Sequence, residues 1–525
     1  MSGRVTMREG QRVRRGDVIM RGRPFVHILF REFKKHYCDQ CIKKRESEPC
    51  PGCGQDFYCS DACRQEALPL HSLECARLKA YAPECLSDFA RFMARTILKL
   101  RNGGDREWVV IDNKLSRQFR HMMTHSDAMA KCEKRSQDLA NKKGELRSFF
   151  GKDYPLTDEF FLDVYSKIKV NNFGMMSEEC FSLGQAIYID AAIYNHSCQP
   201  NAVLCFDGTE MTVRATVDVT RYHRDLFQHS YIDHLAPWGQ RQRQLLLEYC
   251  FECRCQRCSD EYLTALENTL NCGNPKCEYP VEVPDEEDMA ADMDGGPLKL
   301  QCPRCSYSSF PEDVVQQYRR LVTEYEHVIE YYYYPDDKSD LEYVVNYALT
   351  EVTRRQSKDE GGHMRMLLHP FNIHRIRLLE AAYDSAIELT DAVDALKFAE
   401  LNIEGIKHRV GEFGQLYGNR LLEMGKLCVR LERYKKALRH FREAERILEV
   451  CLGPENRLVQ EELRPLMEAT SQVLGLIRSS SLRLRDFQKL DKAWKQRHKK
   501  KIQWIYYAYG LLIVTMVVLG VTGYR

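Results

Sequence analysis

A dense run of metal-binding residue types near the N-terminus restricts most strongly how this chain can fold. Seven cysteines and one histidine lie between positions 38 and 75, with the spacings Cys-x2-Cys, Cys-x8-Cys, Cys-x2-Cys, Cys-x5-Cys, Cys-x3-Cys, Cys-x7-His and His-x3-Cys. Eight soft ligands fill two tetrahedral zinc shells, and the short loops allow paired ligands to reach one ion. The predicted ligands are Cys38, Cys41, Cys50, Cys53, Cys59, Cys63, His71 and Cys75.

The alternative for such a run is a small domain held by disulfides, and the rest of the sequence argues against it. Met1 to Asp17 is basic and polar, unlike a secretory signal peptide. The chain has 22 cysteines, and ten of them have Cys-x2-Cys or Cys-x-Cys spacing, which is typical of reduced thiols that hold zinc in the cytosol or nucleus. The formal charge of +2 provides no strong signal for nucleic-acid binding.

Two further cysteine groups predict metal sites. Cys253, Cys255 and Cys258 form Cys-x-Cys-x2-Cys, which needs a fourth ligand. A second group flanks the acidic insert 285–294 and predicts a small zinc ribbon at 268–308 with a disordered tip. The ribbon ligands are Cys272, Cys277, Cys302 and Cys305.

The length of 525 residues, with 44% hydrophobic and 29% charged residues, predicts several packed domains. At the start of the chain, Val18–Met20 and Phe25–Phe30 are expected to be two strands of one small sheet, preceded by a turn at Gly16. Residues 76–165 show helical apolar spacing. Leu183–Ile193 reads as a buried strand that leads into a polar loop.

The region 312–480 has helical periodicity throughout. Small and aromatic residues lie at the offsets of a tetratricopeptide repeat, in which small residues stand where paired helices approach and an aromatic ring fills the gap. An unrelated helix bundle remains the alternative. The residues in this pattern are Ala392, Ala395, Ala399, Gly425, Ala437, Phe441 and Ala444.

The polar loop carries Asn-His-Ser-Cys-Gln-Pro-Asn at 195–201, and Tyr231 follows in Ser-Tyr-Ile-Asp. On these residues, together with the eight-ligand run, the chain resembles the SET and MYND domain-containing (SMYD) family of protein lysine methyltransferases. The resemblance implies an α+β fold in which a SET-type β fold is interrupted by a MYND finger. The expected parts are the start of the SET domain (1–37), the MYND finger (38–75), a helical insertion (76–165), the SET core (166–245), a post-SET zinc site (246–260), the zinc ribbon (268–308) and an all-α, tetratricopeptide-like domain (312–480) that closes over the catalytic cleft.

The same resemblance implies the roles of the site residues. Asn195, His196 and Asn171 would hold S-adenosylmethionine, Tyr231 would line both the cofactor and the transfer site, and Tyr249 would line the lysine channel. Transfer of a methyl group from the sulfonium of S-adenosylmethionine to a lysine amine is an in-line displacement. It needs alignment, a dry channel and a neutral lysine more than it needs a strong base. Cys198 would complete the post-SET zinc site. In the finger, the implied shells interleave, with Cys38, Cys41, Cys59 and Cys63 on one ion and Cys50, Cys53, His71 and Cys75 on the other.

Two departures from the family pattern keep a second function open. The expected Gly-x-Gly is absent near Arg4–Thr6. The family usually has a Gly-Glu turn followed by apolar residues before the tyrosine, and this chain has the segment Arg224–His229 there instead. Because side chains alternate along a strand, His229 is expected to share the face of Tyr231. The alternative is a catalytically inactive adaptor that recruits proteins, for example in transcriptional repression. The finger could bind a proline-containing peptide or be purely structural, and we expect a monomer.

The C-terminal tail predicts a membrane anchor. Trp504–Gly523 contains no charged residue, is preceded by a basic stretch and is long enough to cross a bilayer core of about 30 Å as a helix. The basic flank would place the catalytic domains on the cytosolic or nuclear side of a tail-anchored protein. Location in the cytoplasm and nucleus is the alternative.

Overall fold

The computed structural model describes residues 4–5, 7–131, 133–151, 154–178, 180–283, 300–353 and 366–478. These residues form two compact units. The N-terminal unit extends to Asp260 and includes Val450–Leu452, and the C-terminal unit begins at Glu261. The predicted tip of the ribbon at 285–294 and the predicted anchor Trp504–Gly523 lie outside the described residues. Among the residues that are described, no helix is both long enough and apolar enough to cross a bilayer.

The strands of the N-terminal unit are mostly short and form several small sheets. The larger sheets have the orders β1-β2-β12-β11 and β3-β9-β8. The strands are β1 (Arg4–Val5), β2 (Val18–Gly22), β3 (Val26–Leu29), β4 (Glu48–Pro49), β5 (Phe57–Tyr58), β6 (Val109–Val110), β7 (Ser116–Arg117), β8 (Asn172–Met176), β9 (Ser182–Ile187), β10 (Asn195–His196), β11 (Ala202–Asp207), β12 (Glu210–Ala215) and β13 (Gln228–His229).

The prediction that β2 and β3 share one sheet is wrong. β2 pairs with β12, whereas β3 pairs with β9. Pro24 stands between the two strands and has no N–H to donate to a hairpin ladder, so the chain passes from one sheet to the other there. The turn before β2 is as expected, since Gly16 has a φ of +86°, which glycine adopts without strain.

The buried strand predicted at Leu183–Ile193 is shorter than expected. β9 ends at Ile187, and the chain continues through a 3-10 turn at Ala191–Ile193. The Asp190 carboxylate accepts a hydrogen bond from the Ala191 N–H at 2.9 Å, which favours the turn over an extended chain. The turn is followed by β10, which is the first part of the polar loop.

The helices of the N-terminal unit surround its sheets and carry part of the finger. Ser60 caps the first helix by accepting from the Cys63 N–H, and Thr157 caps the fifth by accepting from the Phe160 N–H. A core of buried apolar residues from the second, fourth and fifth helices packs beside β3. The helices are α1 (Asp61–Tyr81), α2 (Asp88–Arg101), α3 (Ser126–Lys131), α4 (Glu133–Phe150), α5 (Asp158–Asn171), α6 (Trp238–Tyr249) and α7 (Gln256–Ser259).

The C-terminal unit consists of a two-stranded ribbon and a helical array. The ribbon strands β14 (Thr269–Asn271) and β15 (Pro280–Glu282) pair antiparallel. The helices are α8 (Glu261–Ala265), α9 (Val314–Tyr333), α10 (Lys338–Thr353), α11 (Ile373–Glu388), α12 (Ala392–Val410), α13 (Gln415–Arg430), α14 (Tyr434–Cys451, whose last two residues belong to the N-terminal unit) and α15 (Arg464–Arg478).

The helical array shows the close approach that the small residues predict. A Cβ on Gly425 of α13 would collide with the ring of Phe441 on α14. Phe441, Ala437 and Ala444 are fully buried. The described region 314–353 and 366–478 is therefore helical with the packing expected of paired helices.

Candidate functional site

Two interleaved ligand sets are assembled in the finger. Cys38, Cys41, Cys59 and Cys63 form one set, and Cys50, Cys53, His71 and Cys75 form the other; within each set, the ligand atoms lie within 4.8 Å of one another. The Sγ atoms of Cys41 and Cys59, and of Cys50 and Cys75, are 3.8 Å apart. Four sulfurs about 2.3 Å from one zinc ion stand about 3.8 Å apart, whereas a disulfide is about 2.05 Å long. The donor sets therefore fit zinc.

Buried carboxylates support the histidine ligand. The Nε2 atom of His71 lies 3.3 Å from the Cys50 Sγ, which makes Nε2 the metal-facing nitrogen. Its Nδ1 atom lies 3.1 Å from the Asp56 Oδ2 and 3.6 Å from the Glu74 Oε1. Carboxylates placed behind a ligating imidazole fix its tautomer and orientation.

Three buried cations balance these carboxylates. Lys34 and Arg91 lie 2.8 and 2.6 Å from the Asp56 carboxylate, and Arg95 lies 2.5 Å from Glu74 and 2.9 Å from Asp56. Burial alone would raise the pKa of Asp56, but the charges of Arg91 and Lys34 hold it well below its usual range. The finger is thereby joined to α2 through ion pairs.

Sequence reasoning did not identify this network. Its signal was the presence of Arg91 and Arg95, one helical turn apart, on a helix whose other buried residues are mostly apolar. Asp56 and Glu74 also stand among the finger ligands, with Glu74 directly before Cys75. Charged residues at these positions indicate a buried support for the metal site.

A third ligand set joins the polar loop to the end of the N-terminal unit. Cys198, Cys253, Cys255 and Cys258 have their Sγ atoms within 4.8 Å of one another. The Cys198 Sγ lies 3.9 Å from that of Cys253 and 3.5 Å from that of Cys258. The fourth ligand that the three clustered cysteines require is thus supplied by the loop, and the set fits one zinc ion.

The ribbon assembles the fourth set. Cys272, Cys277, Cys302 and Cys305 also converge within 4.8 Å. The Sγ atoms of Cys272 and Cys305 are 3.5 Å apart, and those of Cys277 and Cys302 are 3.9 Å apart. This set, too, has the tetrathiolate composition of a structural zinc site.

The loop residue His196 connects the third metal set to Tyr231. β10 pairs in parallel with β13, so that His196 lies beside His229. The His196 Nδ1 accepts a hydrogen bond from the Tyr231 N–H at 3.0 Å, and its Nε2 lies 3.2 Å from the Cys198 Sγ. Because Nδ1 is an acceptor, the proton of the neutral ring is on Nε2, facing the sulfur. Burial lowers the pKa of His196 to about 4, which keeps the ring neutral at pH 7.

Tyr231 is the centre of an aromatic cluster. Its hydroxyl donates to the Tyr194 carbonyl at 2.6 Å, and its ring centroid lies 5.0 Å from that of Tyr249. The Tyr249 hydroxyl donates to the Tyr231 carbonyl at 3.4 Å. Burial raises the pKa of Tyr231 to about 12 and raises that of Tyr249 as well, so both phenols are neutral at pH 7.

His229 and Phe173 extend this cluster. The His229 ring centroid is 4.9 Å from that of Tyr231 and 5.7 Å from that of Phe173, on which it stacks. His229 is only 4% exposed. Strand alternation predicted that His229 accompanies Tyr231, but the contact with Phe173 on β8 joins residues distant in sequence.

The two predicted cofactor asparagines differ in their surroundings. Asn195 is exposed, and within the described part of the chain its side chain makes no hydrogen bond. Asn171 is buried at the end of α5, where its amide donates to the Met123 and Lys167 carbonyls, both at 2.8 Å. Among the described contacts, no hydrogen bond joins Asn171 to His196 or Tyr231. The roles of both residues at a cofactor stay predictions.

The segment that lacks Gly-x-Gly is an edge strand. Arg4 and Val5 of β1 pair with Arg21 and Met20 of β2. The backbone therefore continues the larger sheet at the position where the family pattern predicts glycines.

Comparison with known proteins finds a matching finger family and several relatives. The MYND finger family matches residues 38–75. N-lysine methyltransferase SMYD2-A of Danio rerio is 22% identical over 460 residues, covering 87% of this chain and 93% of that protein. N-lysine methyltransferase SMYD2 of Homo sapiens is 24% identical over 450 residues, covering 85% and 92%. The chain is similar to SMYD-family lysine methyltransferases over most of its length.

The similarity is not confined to the finger. The finger match coincides with the two interleaved ligand sets, and the alignments with the relatives extend over most of the chain, well beyond the finger. N-lysine methyltransferase SMYD2 of Mus musculus, at 25% identity over 450 residues, also aligns over 85% of it.

Proposed function

We propose that this chain is a member of the SMYD family and an S-adenosylmethionine-dependent protein-lysine N-methyltransferase. The observation that carries the proposal is the anchoring of Tyr231, whose N–H donates to His196 and whose hydroxyl donates to the Tyr194 carbonyl. The backbone and the hydroxyl of this partly buried, neutral tyrosine are thereby both held beside the polar loop. The relatives, which are named as N-lysine methyltransferases, support the same function.

The polar loop offers suitable groups for S-adenosylmethionine. Asn195 presents a free amide to solvent, and the adjacent His196 is held neutral by burial. We assign Asn195, His196, Tyr231 and Asn171 to the cofactor site, where the bound group would supply an activated methyl on sulfur.

The residues of this chain would act by alignment and exclusion of water. The neutral rings of Tyr231 and Tyr249 are partly buried, and their centroids are 5.0 Å apart, which suits a channel for an uncharged lysine amine. A lysine ammonium must lose its proton to solvent before it can attack, and a dry channel favours the neutral amine. The Tyr231 hydroxyl would orient the amine and the methyl group in line.

The third zinc site would hold this channel together. Cys198 belongs to the polar loop and Cys253 follows Tyr249 by four residues, so one ion would join the cofactor side to the channel side. Although this zinc ion would not contact the substrate, its loss is expected to remove methyl-transfer activity.

The partners that follow from this function are protein lysines, histone or non-histone. The finger would bind proline-containing peptides, and the chain would act as a monomer. The tail Trp504–Gly523 would anchor the protein in a membrane with the catalytic residues facing the cytosol or nucleus. Fractionation of cells that express the chain with and without residues 504–525 tests the anchor, since only the longer form should resist carbonate extraction.

The decisive experiment is isothermal titration of the zinc-loaded full-length protein with S-adenosylmethionine and, separately, with S-adenosylhomocysteine. We expect micromolar binding that weakens at least about tenfold in Asn195→Ala, because an amide–ligand hydrogen bond is lost. The matched control is Asn113→Ala, an exposed asparagine in the turn between β6 and β7. Absence of binding by folded, zinc-replete protein would contradict the enzyme and favour the adaptor.

A further inference from the structure

His229 is a buried histidine with one ring nitrogen that lacks a partner. Its Nδ1 lies 3.1 Å from the Ser230 carbonyl oxygen. Among the described residues, its Nε2 has no hydrogen-bond partner, although the ring is only 4% exposed. A buried polar atom without a partner is costly, so it points to a ligand or a water.

The protonation of His229 follows from its one hydrogen bond. A carbonyl oxygen can only accept, so the Nδ1 atom must carry the proton. In the neutral ring, Nε2 then has a lone pair and is an acceptor. Burial lowers the pKa of His229 to about 4, and the ring is therefore neutral at pH 7.

The position of His229 connects this acceptor with the proposed channel. Its ring lies between Phe173 and Tyr231, at centroid distances of 5.7 and 4.9 Å, and Tyr231 in turn contacts Tyr249. His196, which lies beside His229 across β10 and β13, already has Tyr231 and Cys198 as partners. Among the described residues, His229 thus offers a vacant acceptor next to the pair of Tyr231 and Tyr249.

We propose that His229 is a specificity-determining residue of the lysine site: its Nε2 accepts an N–H from the substrate amine and so favours unmethylated and monomethylated lysine over dimethylated lysine. This inference rests on the proposed methyltransferase function.

The preference follows from counting the N–H groups. A neutral primary amine has two and a monomethylated amine has one, so either can donate to Nε2 while its lone pair attacks the methyl carbon. The new N–C bond forms as the C–S bond breaks, the sulfur keeps the electron pair, and the product ammonium later loses a proton to solvent. A neutral dimethylated amine has no N–H and leaves Nε2 unsatisfied.

Nitrogen-15 NMR of the full-length, histidine-labelled protein tests the acceptor without any turnover. The chain has 16 histidines, and the His229 resonance is assigned by its absence from His229→Asn. We expect a pyridine-type Nε2 signal at pH 7.5 that shifts upfield with n-butylammonium, a mimic of the lysine side chain. Butyltrimethylammonium, which has no N–H, should leave it unmoved.

Two results would overturn the inference while the methyltransferase function stands. One is an Nε2 chemical shift that is typical of a hydrogen-bonded nitrogen already in the free protein. The other is an equal change of this chemical shift with both ammonium probes. In each case, S-adenosylmethionine binding must be intact. If the parent protein does not bind S-adenosylmethionine at all, the proposed function is overturned and, with it, the role of His229.

Turnover provides a second readout. The probe is a library of peptides with one lysine, supplied unmethylated, monomethylated and dimethylated. In His229→Phe, which keeps the ring stacked on Phe173, we expect the preference for unmethylated over dimethylated lysine to fall about tenfold, the size of one lost hydrogen bond. His229→Asn, which keeps an acceptor, should restore part of it. An unchanged ratio would refute the proposal.

The matched control for both experiments is His440→Phe on α14. The His440 Nε2 also lacks a partner among the described residues, but the residue lies in the helical array. This variant should leave the product ratio and the amine response unchanged. The NMR comparison tests whether the His229 Nε2 accepts a hydrogen bond from an amine, even if no peptide of the library is a substrate.

Discussion

At the residue scale, the Tyr231 hydroxyl has a structural partner as well as a proposed catalytic role. Tyr231→Phe removes its bond to the Tyr194 carbonyl, which should destabilise the protein by about 1 kcal/mol. We expect S-adenosylmethionine binding to persist while methyl transfer to the peptide library falls at least about tenfold. Titration calorimetry, a transfer assay and urea unfolding measure these effects.

The control for that variant is Tyr334→Phe, because Tyr334 is 82% exposed and distant in sequence from the aromatic cluster. It should match the parent protein in all three measurements. Full transfer activity in Tyr231→Phe would remove the hydroxyl from the mechanism.

A buried histidine in the C-terminal unit predicts a pH dependence of stability. The His369 Nδ1 accepts from the Phe371 N–H, and its Nε2–H donates to the Glu278 carbonyl, so the neutral ring is fully satisfied. Burial lowers the pKa of His369 from its model-compound value of 6.5 to about 4. Above pH 6.5 the folded and unfolded states are both neutral, and between about pH 6.5 and 4 only the unfolded state gains the proton.

Stability should therefore fall as the pH is lowered through this window. At pH 5.5, protonation of His369 in the unfolded state should lower the free energy of unfolding by roughly 1 kcal/mol relative to pH 7.5. We expect His369→Gln to lose less stability than the parent protein between pH 7.5 and 5.5, as measured by denaturant unfolding at both values. Equal losses in the two proteins would contradict the assigned protonation state.

At the element scale, two glycines in helices should respond to alanine with opposite signs. Gly425→Ala on α13 would press a methyl group into the Phe441 ring, and overpacking of this kind costs about 1–3 kcal/mol. Gly475→Ala on α15 meets no atom within 4 Å and should stabilise the helix by about 0.5–1 kcal/mol. Thermal unfolding of both variants is the measurement, and a stabilising Gly425→Ala would refute the close approach of α13 and α14.

The ion pairs between α2 and the finger predict a large effect of one arginine. Arg95→Leu leaves the buried Asp56 and Glu74 carboxylates with one cation fewer, which should cost about 3 kcal/mol. The finger should also lose zinc more readily to a chelator, since the carboxylates orient His71. Arg106→Leu, at an exposed position beyond the end of α2, is the control and should behave like the parent protein.

At the scale of the whole molecule, the four ligand sets predict the metal content. We expect four zinc ions per chain by elemental analysis. Cys277→Ser should remove the ribbon ion, and Cys198→Ser should remove the post-SET ion; each leaves three. Because structural zinc contributes directly to folding, full chelation should unfold both units. Retention of four ions in either variant would contradict the assigned ligands.

Much of this organisation is local and was therefore predictable. Ligand spacing in the finger and the ribbon, the helical periodicity of 312–480 and the Asn195 loop are patterns within short stretches of chain, where geometry limits the alternatives. The length of β9 was overestimated, because apolar residues continue past Ile187 while Asp190 turns the chain. Hydrophobicity alone does not predict a strand end that is set by a side-chain hydrogen bond, such as the one from the Ala191 N–H to Asp190.

The amino-acid sequence by itself determined the cysteine-rich metal motifs of the finger, of 253–258 and of the ribbon, since these depend on residue type and spacing. The interleaving of the finger ligands, the role of Cys198 as a fourth ligand and the order of parts were implied only by the family resemblance. The tertiary structure alone decided the pairing of β2 and β3 in different sheets, the burial of Arg91 and Arg95 against Asp56 and Glu74, and the stacking of His229 on Phe173. The physical reason is that strand partners and buried charge pairs join residues far apart in the chain, and their energies depend on burial and distance.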